Sequence, residues 1–232
     1  MRSLARRRRW ICTVLILVAM LLGGTLWGHP MDERNSSFVR GVEGTALGPV
    51  IYLGATHMAT GLDHILFLVG VIFFLYRPGD VVLYVSLFTI GHSITLLAGV
   101  LAGARVDPYV IDAIIGLSVA YKGFENIGGF DRWRRRPSTR GAVLVFGLFH
   151  GLGLATKLQD FTSGGEGLVA NIVSFNLGVE IGQILALSIV LVGLMWWRSR
   201  PSFGRHAFST NTVLMALGFT LAGYQIVGSL LY

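Results

Sequence analysis

Residues 48–76 read GPVIYLGATHMATGLDHILFLVGVIFFLY. An α-helix needs about 20 predominantly apolar residues to cross the hydrocarbon core of a bilayer, and this run exceeds that. It also carries His57, Asp63 and His64, ionisable groups that are costly at membrane depth and by default face a bundle interior. Gly61 stands among them. Five further apolar runs follow, at 81–103, 108–130, 141–158, 167–197 and 207–231. None alternates as outer-membrane strands do. The expected fold is all-α, a polytopic membrane bundle of six transmembrane helices. Small residues spaced like Gly147, Gly151 and Gly153 favour helices packed backbone to backbone.

Composition agrees. Of 232 residues, 53% are apolar and 13% charged, against about 25% charged in soluble domains. Mean hydropathy is +0.66. A disordered chain, a nucleic-acid-binding domain and an ordinary soluble enzyme are excluded. Cys12 is the only cysteine, so neither an intrachain disulfide nor a thiolate metal cage can form.

The chain divides into three parts. Residues 1–28 begin with Arg6–Arg9, continue through an apolar stretch from Trp10 to about Leu22 and end in small residues. That is the pattern of a signal peptide or a signal anchor. Residues 29–46 are a short polar external segment, and 47–232 the transmembrane domain. The net charge of +7 is concentrated between the runs: near Arg77, in 131–140 with Arg132, Arg134, Arg135, Arg136 and Arg140, and in 198–206 with Arg198, Arg200 and Arg205. The alternate loops 103–108 and 159–166 are poor in positive charge. The positive-inside rule then places the basic loops in the cytoplasm and Asp160, Glu166 and Tyr232 outside, in a bacterial-type inner membrane.

Four of the six histidines, His57, His64, His92 and His150, lie in three different apolar runs. On an unbroken helix His57 and His64 share a face but stand about 10.5 Å apart along the axis. One metal with ligand bonds of about 2.0–2.1 Å cannot bridge that gap. Either Gly61 marks an unwound segment that shortens the separation, or the two histidines serve different sites. Asp63 can ligate, or orient an imidazole through its ring N–H. Asn176, Glu180 and Gln183 form a polar stripe on the fifth run. Lys122 and Glu125 read as an ion pair closing the cytoplasmic end. The candidate metal set is His57, Asp63, His64, His92, His150 and Glu180, with Glu125, Asn126 and Asn176 as a secondary polar path.

At these residues the sequence resembles the HupE/UreJ family of hydrogenase and urease accessory membrane proteins. The string His57-x5-Asp63-His64, continued by Ile65-Leu66-Phe67-Leu68, is similar to the family signature. Phe88-Thr89-x2-His92-Ser93-x-Thr95, Glu125-Asn126, Phe146-Gly147-x2-His150-Gly151-x-Gly153 and Phe175-Asn176-x-Gly178-Val179-Glu180-x-Gly182-Gln183 are similar to its second group. The resemblance implies six membrane helices and a permease for nickel, with cobalt second, serving metalloenzyme-maturation proteins. It implies that His57, Asp63 and His64 handle the metal.

Transport of a divalent transition metal is therefore the first expectation. Nickel, cobalt and zinc all suit His and carboxylate ligands. No G-x4-G-K-[ST] loop is present, so coupling would draw on an ion gradient or the membrane potential. The rival is an intramembrane metal-dependent hydrolase, in which three His and an Asp hold a zinc with an open water position. Convergence of the histidines in one closed cavity would favour the enzyme. A polar path open to both sides would favour transport. A scaffold whose polar residues only specify packing is the third reading.

Overall fold

The computed structural model describes residues 45–159 and 167–231. The signal segment, nearly all of 29–46, Asp160, Glu166 and Tyr232 lie outside the described residues. Among the described residues there are seven helices and no strand: α1 (Leu47–Thr60), α2 (Leu62–Ile72), α3 (Pro78–Leu101), α4 (Pro108–Asn126), α5 (Thr139–Gln159), α6 (Leu168–Arg198) and α7 (Ser202–Leu231). Each expected apolar run became a helix except the first, which is broken.

The punctuation has local causes. Pro78 and Pro108 occupy the first turns of α3 and α4, where a missing N–H costs nothing. The Asp107 carboxylate caps α4 by accepting from the Tyr109 amide at 2.8 Å. Gly128, at φ 83°, turns the chain just past α4. The break at Gly61 is different. Its φ and ψ of −68° and 95° are extended, and α1 and α2 meet at 63°.

Three helix pairs form the body of the bundle: α1 with α6, α3 with α5, and α4 with α7. Each is zipped at glycine. A Cβ on Gly54 would stand 2.9 Å from the Val179 amide nitrogen. One on Gly147 would stand 2.5 Å from the Phe88 carbonyl, and one on Gly116 2.6 Å from the Ala222 nitrogen. No such atom fits, so the backbones touch directly, as the glycine spacing predicted. The short α2 lies among the pairs and contacts α1, α3, α4, α6 and α7. His64, Phe67, Leu68, Gly70, Val71 and Ile72 are all buried along it.

The outer faces stay apolar: Ile189 is 76% exposed, Leu230 80% and Val192 68%. A soluble monomer rarely shows contiguous apolar surface on this scale. α3, α5, α6 and α7 are each long and apolar enough to cross a membrane, and the bent α1–α2 pair is a fifth candidate. This is a multi-pass membrane protein. α4, the remaining helix, has 19 residues but carries Asp112, Lys122 and Glu125.

Candidate metal centre

The break at Gly61 brings together two imidazoles that a straight helix would hold apart. The His57 and His64 ring centroids are 5.3 Å apart. His92 of α3 lies 6.2 Å from His64, and His150 of α5 lies 4.7 Å from it. All four histidines are buried, at 7%, 4%, 1% and 1% exposure for His57, His64, His92 and His150. Two imidazoles at neighbouring positions on one metal, with bonds of about 2.0–2.1 Å plus the ring radius, place their centroids roughly 4.5–5.3 Å apart. The His57–His64 and His64–His150 spacings fall in that range, and His92 stands about an ångström beyond it. Among the described residues no three of His, Cys, Asp and Glu already surround one point.

Two of the rings are held in a defined tautomer. Asp63 Oδ1 accepts from His64 Nδ1 at 2.8 Å and from the His64 amide at 2.9 Å. The Phe146 carbonyl, one turn back along α5, accepts from His150 Nδ1 at 2.6 Å. With both Nδ1 atoms donating, the lone pair of each ring lies on Nε2. His64 Nε2, His150 Nε2 and both His92 nitrogens are buried without a hydrogen-bond partner among the described residues. Buried polar atoms are nearly always paired, so three rings with an unmet nitrogen at one place form a ligand set in waiting. Asp63 also sits in the first turn of α2, where the helix dipole favours a carboxylate. Its side chain is 32% exposed, making it the open edge of an otherwise closed cluster.

Phe67, Phe88 and Phe175 wall the imidazoles. The Phe88 ring lies 4.9 Å from His150 and stacks on His92, and Phe175 lies 6.1 Å from His57. Gly61 lines the inner side. A Cβ there would stand 3.0 Å from His64 Nδ1 and 3.3 Å from Asp63 Oδ1. The α3–α5 contact that sets His92 against His150 is fixed by Gly151, where a Cβ would overlap the His92 carbonyl. Thr95 adds a bond to the Leu148 carbonyl at 2.6 Å.

The remaining candidates make contacts of their own. Glu180 is half-buried on α6 and makes no hydrogen bond or ring contact with the imidazoles among the described residues. Asn176 exchanges hydrogen bonds with Ser93 at 2.8 and 3.1 Å, tying α6 to α3 one residue from His92. Asn126 donates to the Gly70 carbonyl at 2.8 Å and to Asn211 at 2.7 Å, tying α4 to α2 and α7. Glu125 pairs with Lys122 at 2.6 Å, the ion pair expected from their spacing.

Two participants went unassigned in the sequence. Gln183 is buried beside the centre and accepts from Thr89 at 3.2 Å. Its place on the stripe with Asn176 was the available signal. Arg198 read as a loop charge, but its guanidinium donates to the carbonyls of Ile72, of Phe73 at 2.7 Å and of Leu75 at 2.9 Å. It closes the C-terminal end of α2, and a residue beyond the last apolar turn carries no sequence signal for that task.

A family model described as HupE / UreJ protein matches residues 33–231. No curated protein and no solved structure matches the chain. The chain belongs to the HupE/UreJ family.

Proposed function

We propose that this HupE/UreJ chain is a permease for a divalent transition metal, nickel first and cobalt second, whose cargo binds at His57, Asp63, His64, His92 and His150. The convergence of four imidazoles from α1, α2, α3 and α5 beside one carboxylate, with unmet nitrogens on three of them, carries the metal site, and the family match carries transport over hydrolysis. The family's association with nickel and cobalt transport supports the choice of cargo. The α1–α2 pair is then one broken span, of the kind that surrounds mid-membrane ion sites. At about 1.5 Å per residue the 19 residues of α4 reach some 28 Å, so α4 completes six spans. The basic loops lie in the cytoplasm and the C-terminus outside.

In this account the metal enters past the exposed edge of Asp63, sheds water, and is taken by His64 Nε2. Asp63 holds that ring by its other nitrogen and fixes its orientation. His150 Nε2 and His57 complete the first grip, and an inward shift of His92 closes it. Glu180, Asn176 and Asn126 belong to the onward path, which is shut where Asn126 holds its partners. The released metal is supplied to metalloenzyme-maturation proteins.

The intramembrane metal hydrolase is a second reading, because the four rings do converge in a closed, aromatic-walled cluster. One experiment separates the two. Purified protein is reconstituted in liposomes and assayed for bound metal and for uptake of nickel, cobalt and zinc. Transport predicts saturable nickel uptake that is lost in His64→Ala. Stoichiometric, non-exchanging zinc without uptake of any metal would favour the enzyme. Absence of bound metal would leave only the packing role.

A further inference from the structure

α4 carries a charge pair that the metal cluster does not use. Lys122 Nζ donates to Glu125 Oε2 at 2.6 Å, and the Thr139 hydroxyl of α5 donates to the other oxygen, Oε1. The Lys122 side chain is 7% exposed and that of Glu125 17%. Neutral residues of similar shape commonly hold buried helices together as well as such a pair or better, so packing alone does not account for it. Its location relates it to the metal site. The Lys122 stem lies against Gly70 of α2, where a Cβ would stand 2.9 Å from Lys122 Cγ. Asn126, the residue after Glu125, holds the Gly70 carbonyl at 2.8 Å. Gly70 is six residues past His64, about 9 Å along α2. One short helix thus presents Asp63 and His64 at its first turn and rests on the charge pair farther along. Glu125 sits one residue before the end of α4, close to water at that end of the bundle.

From this arrangement we infer that Lys122, Glu125 and Thr139 form the coupling-ion site of the transporter, with the proton as the ion and α2 as the link to the metal cluster. The inference rests on the permease reading. A proton from the water on one side adds to the Glu125 carboxylate, giving the neutral acid and leaving the Lys122 ammonium without its counter-charge. Loss of that proton to the other side restores the pair. The groups facing Glu125 are Lys122 and the Tyr121 hydroxyl from α4 and the Thr139 hydroxyl from α5, while Gly70 of α2 and Asn211 of α7 are held by the neighbouring Asn126. Among the described residues no ion pair from α2, α5 or α7 reaches it.

The test uses the full chain in liposomes with nickel(II) alone as the probe. The double variant Lys122→Met, Glu125→Gln removes both charges and keeps an acceptor for Thr139. Nickel–nickel exchange without a gradient is expected to stay within about twofold of the unmodified protein, since replacing both partners of a buried pair is commonly near neutral. Net nickel movement driven by an imposed pH gradient is expected to fall about tenfold or more, within the usual range of site–site coupling. If the double variant follows the gradient like the unmodified protein, the pair is structural and the inference is overturned. It is equally overturned if the unmodified protein exchanges nickel but ignores the gradient. If the unmodified protein neither binds nor exchanges nickel, the permease reading itself fails and this inference with it. Should the double variant not fold, Thr139→Val takes its place. It removes one hydrogen bond donated to the carboxylate, so gradient-driven nickel movement should fall while exchange holds, and movement that follows the gradient as in the unmodified protein would overturn the inference.

Discussion

Replacing Asp63 by Asn separates a metal role from a packing role because the two side chains have nearly the same shape. In the protein Asp63 Oδ1 accepts two hydrogen bonds, from the His64 amide at 2.9 Å and from His64 Nδ1 at 2.8 Å. An amide oxygen in its place can accept both. If the pair only specified packing, the change would weaken charge-assisted bonds to ordinary ones, a loss of about 1 kcal/mol in stability. If Asp63 anchors a ligand, the lost charge also loosens the hold on the His64 ring and frees it to choose its tautomer. Removing such an anchor typically costs 10- to 100-fold in affinity, or about 1.4–2.7 kcal/mol of binding. Where Asp63 contacts the ion itself, the loss is larger. The assay is nickel affinity by competition titration in detergent, paired with thermal unfolding without metal. Expected are an unfolding temperature close to that of the unmodified protein and a nickel Kd raised at least about tenfold. Affinity within twofold of the unmodified protein, with the same unfolding temperature, would refute the reasoning.

Other substitutions probe the frame around the site. Gly61→Ala suits the backbone at φ −68°, but its methyl meets the His57 carbonyl oxygen and His64 Nδ1, both at 3.0 Å, and lowers nickel affinity in the same titration. An unchanged affinity would show that the inner wall is not part of the site. Arg198→Gln strips most of the donors from the carbonyls that end α2, with an expected loss of about 1.5–3 kcal/mol, read as reduced resistance to chemical unfolding in detergent. Gly147→Leu drives a side chain into the Phe88 backbone and should cost about 3 kcal/mol or more. Gly193→Leu, with nothing within 4 Å of its Cβ, should purify normally, and equal yields of monodisperse protein from the two would contradict the zipped α3–α5 contact.

Much of this was legible from residue order. Apolar length marked the helices. The distance argument on His57 and His64 required either a break at Gly61 or two sites, and the structure has the break. Close packing was readable at Gly147 and Gly151 because only a missing Cβ lets backbones touch. The choice of partners was not readable. A helix sequence displays a face but does not name what lies against it, so the pairing of α1 with α6 and of α4 with α7 had no signal. For the same reason the partners that Asn126 and Asn176 hold across helices had no signal. Arg198 illustrates a further gap, because positive charge beyond an apolar run marks topology and conceals any contact it makes inside.

The central claim is that the converging imidazoles hold the transported metal. X-ray absorption at the nickel edge, on purified protein loaded with nickel and washed, counts those ligands directly. The account predicts a shell containing at least three imidazole nitrogens, reduced in His64→Ala and in His150→Ala. A shell of oxygen alone, unchanged in both variants, would contradict it.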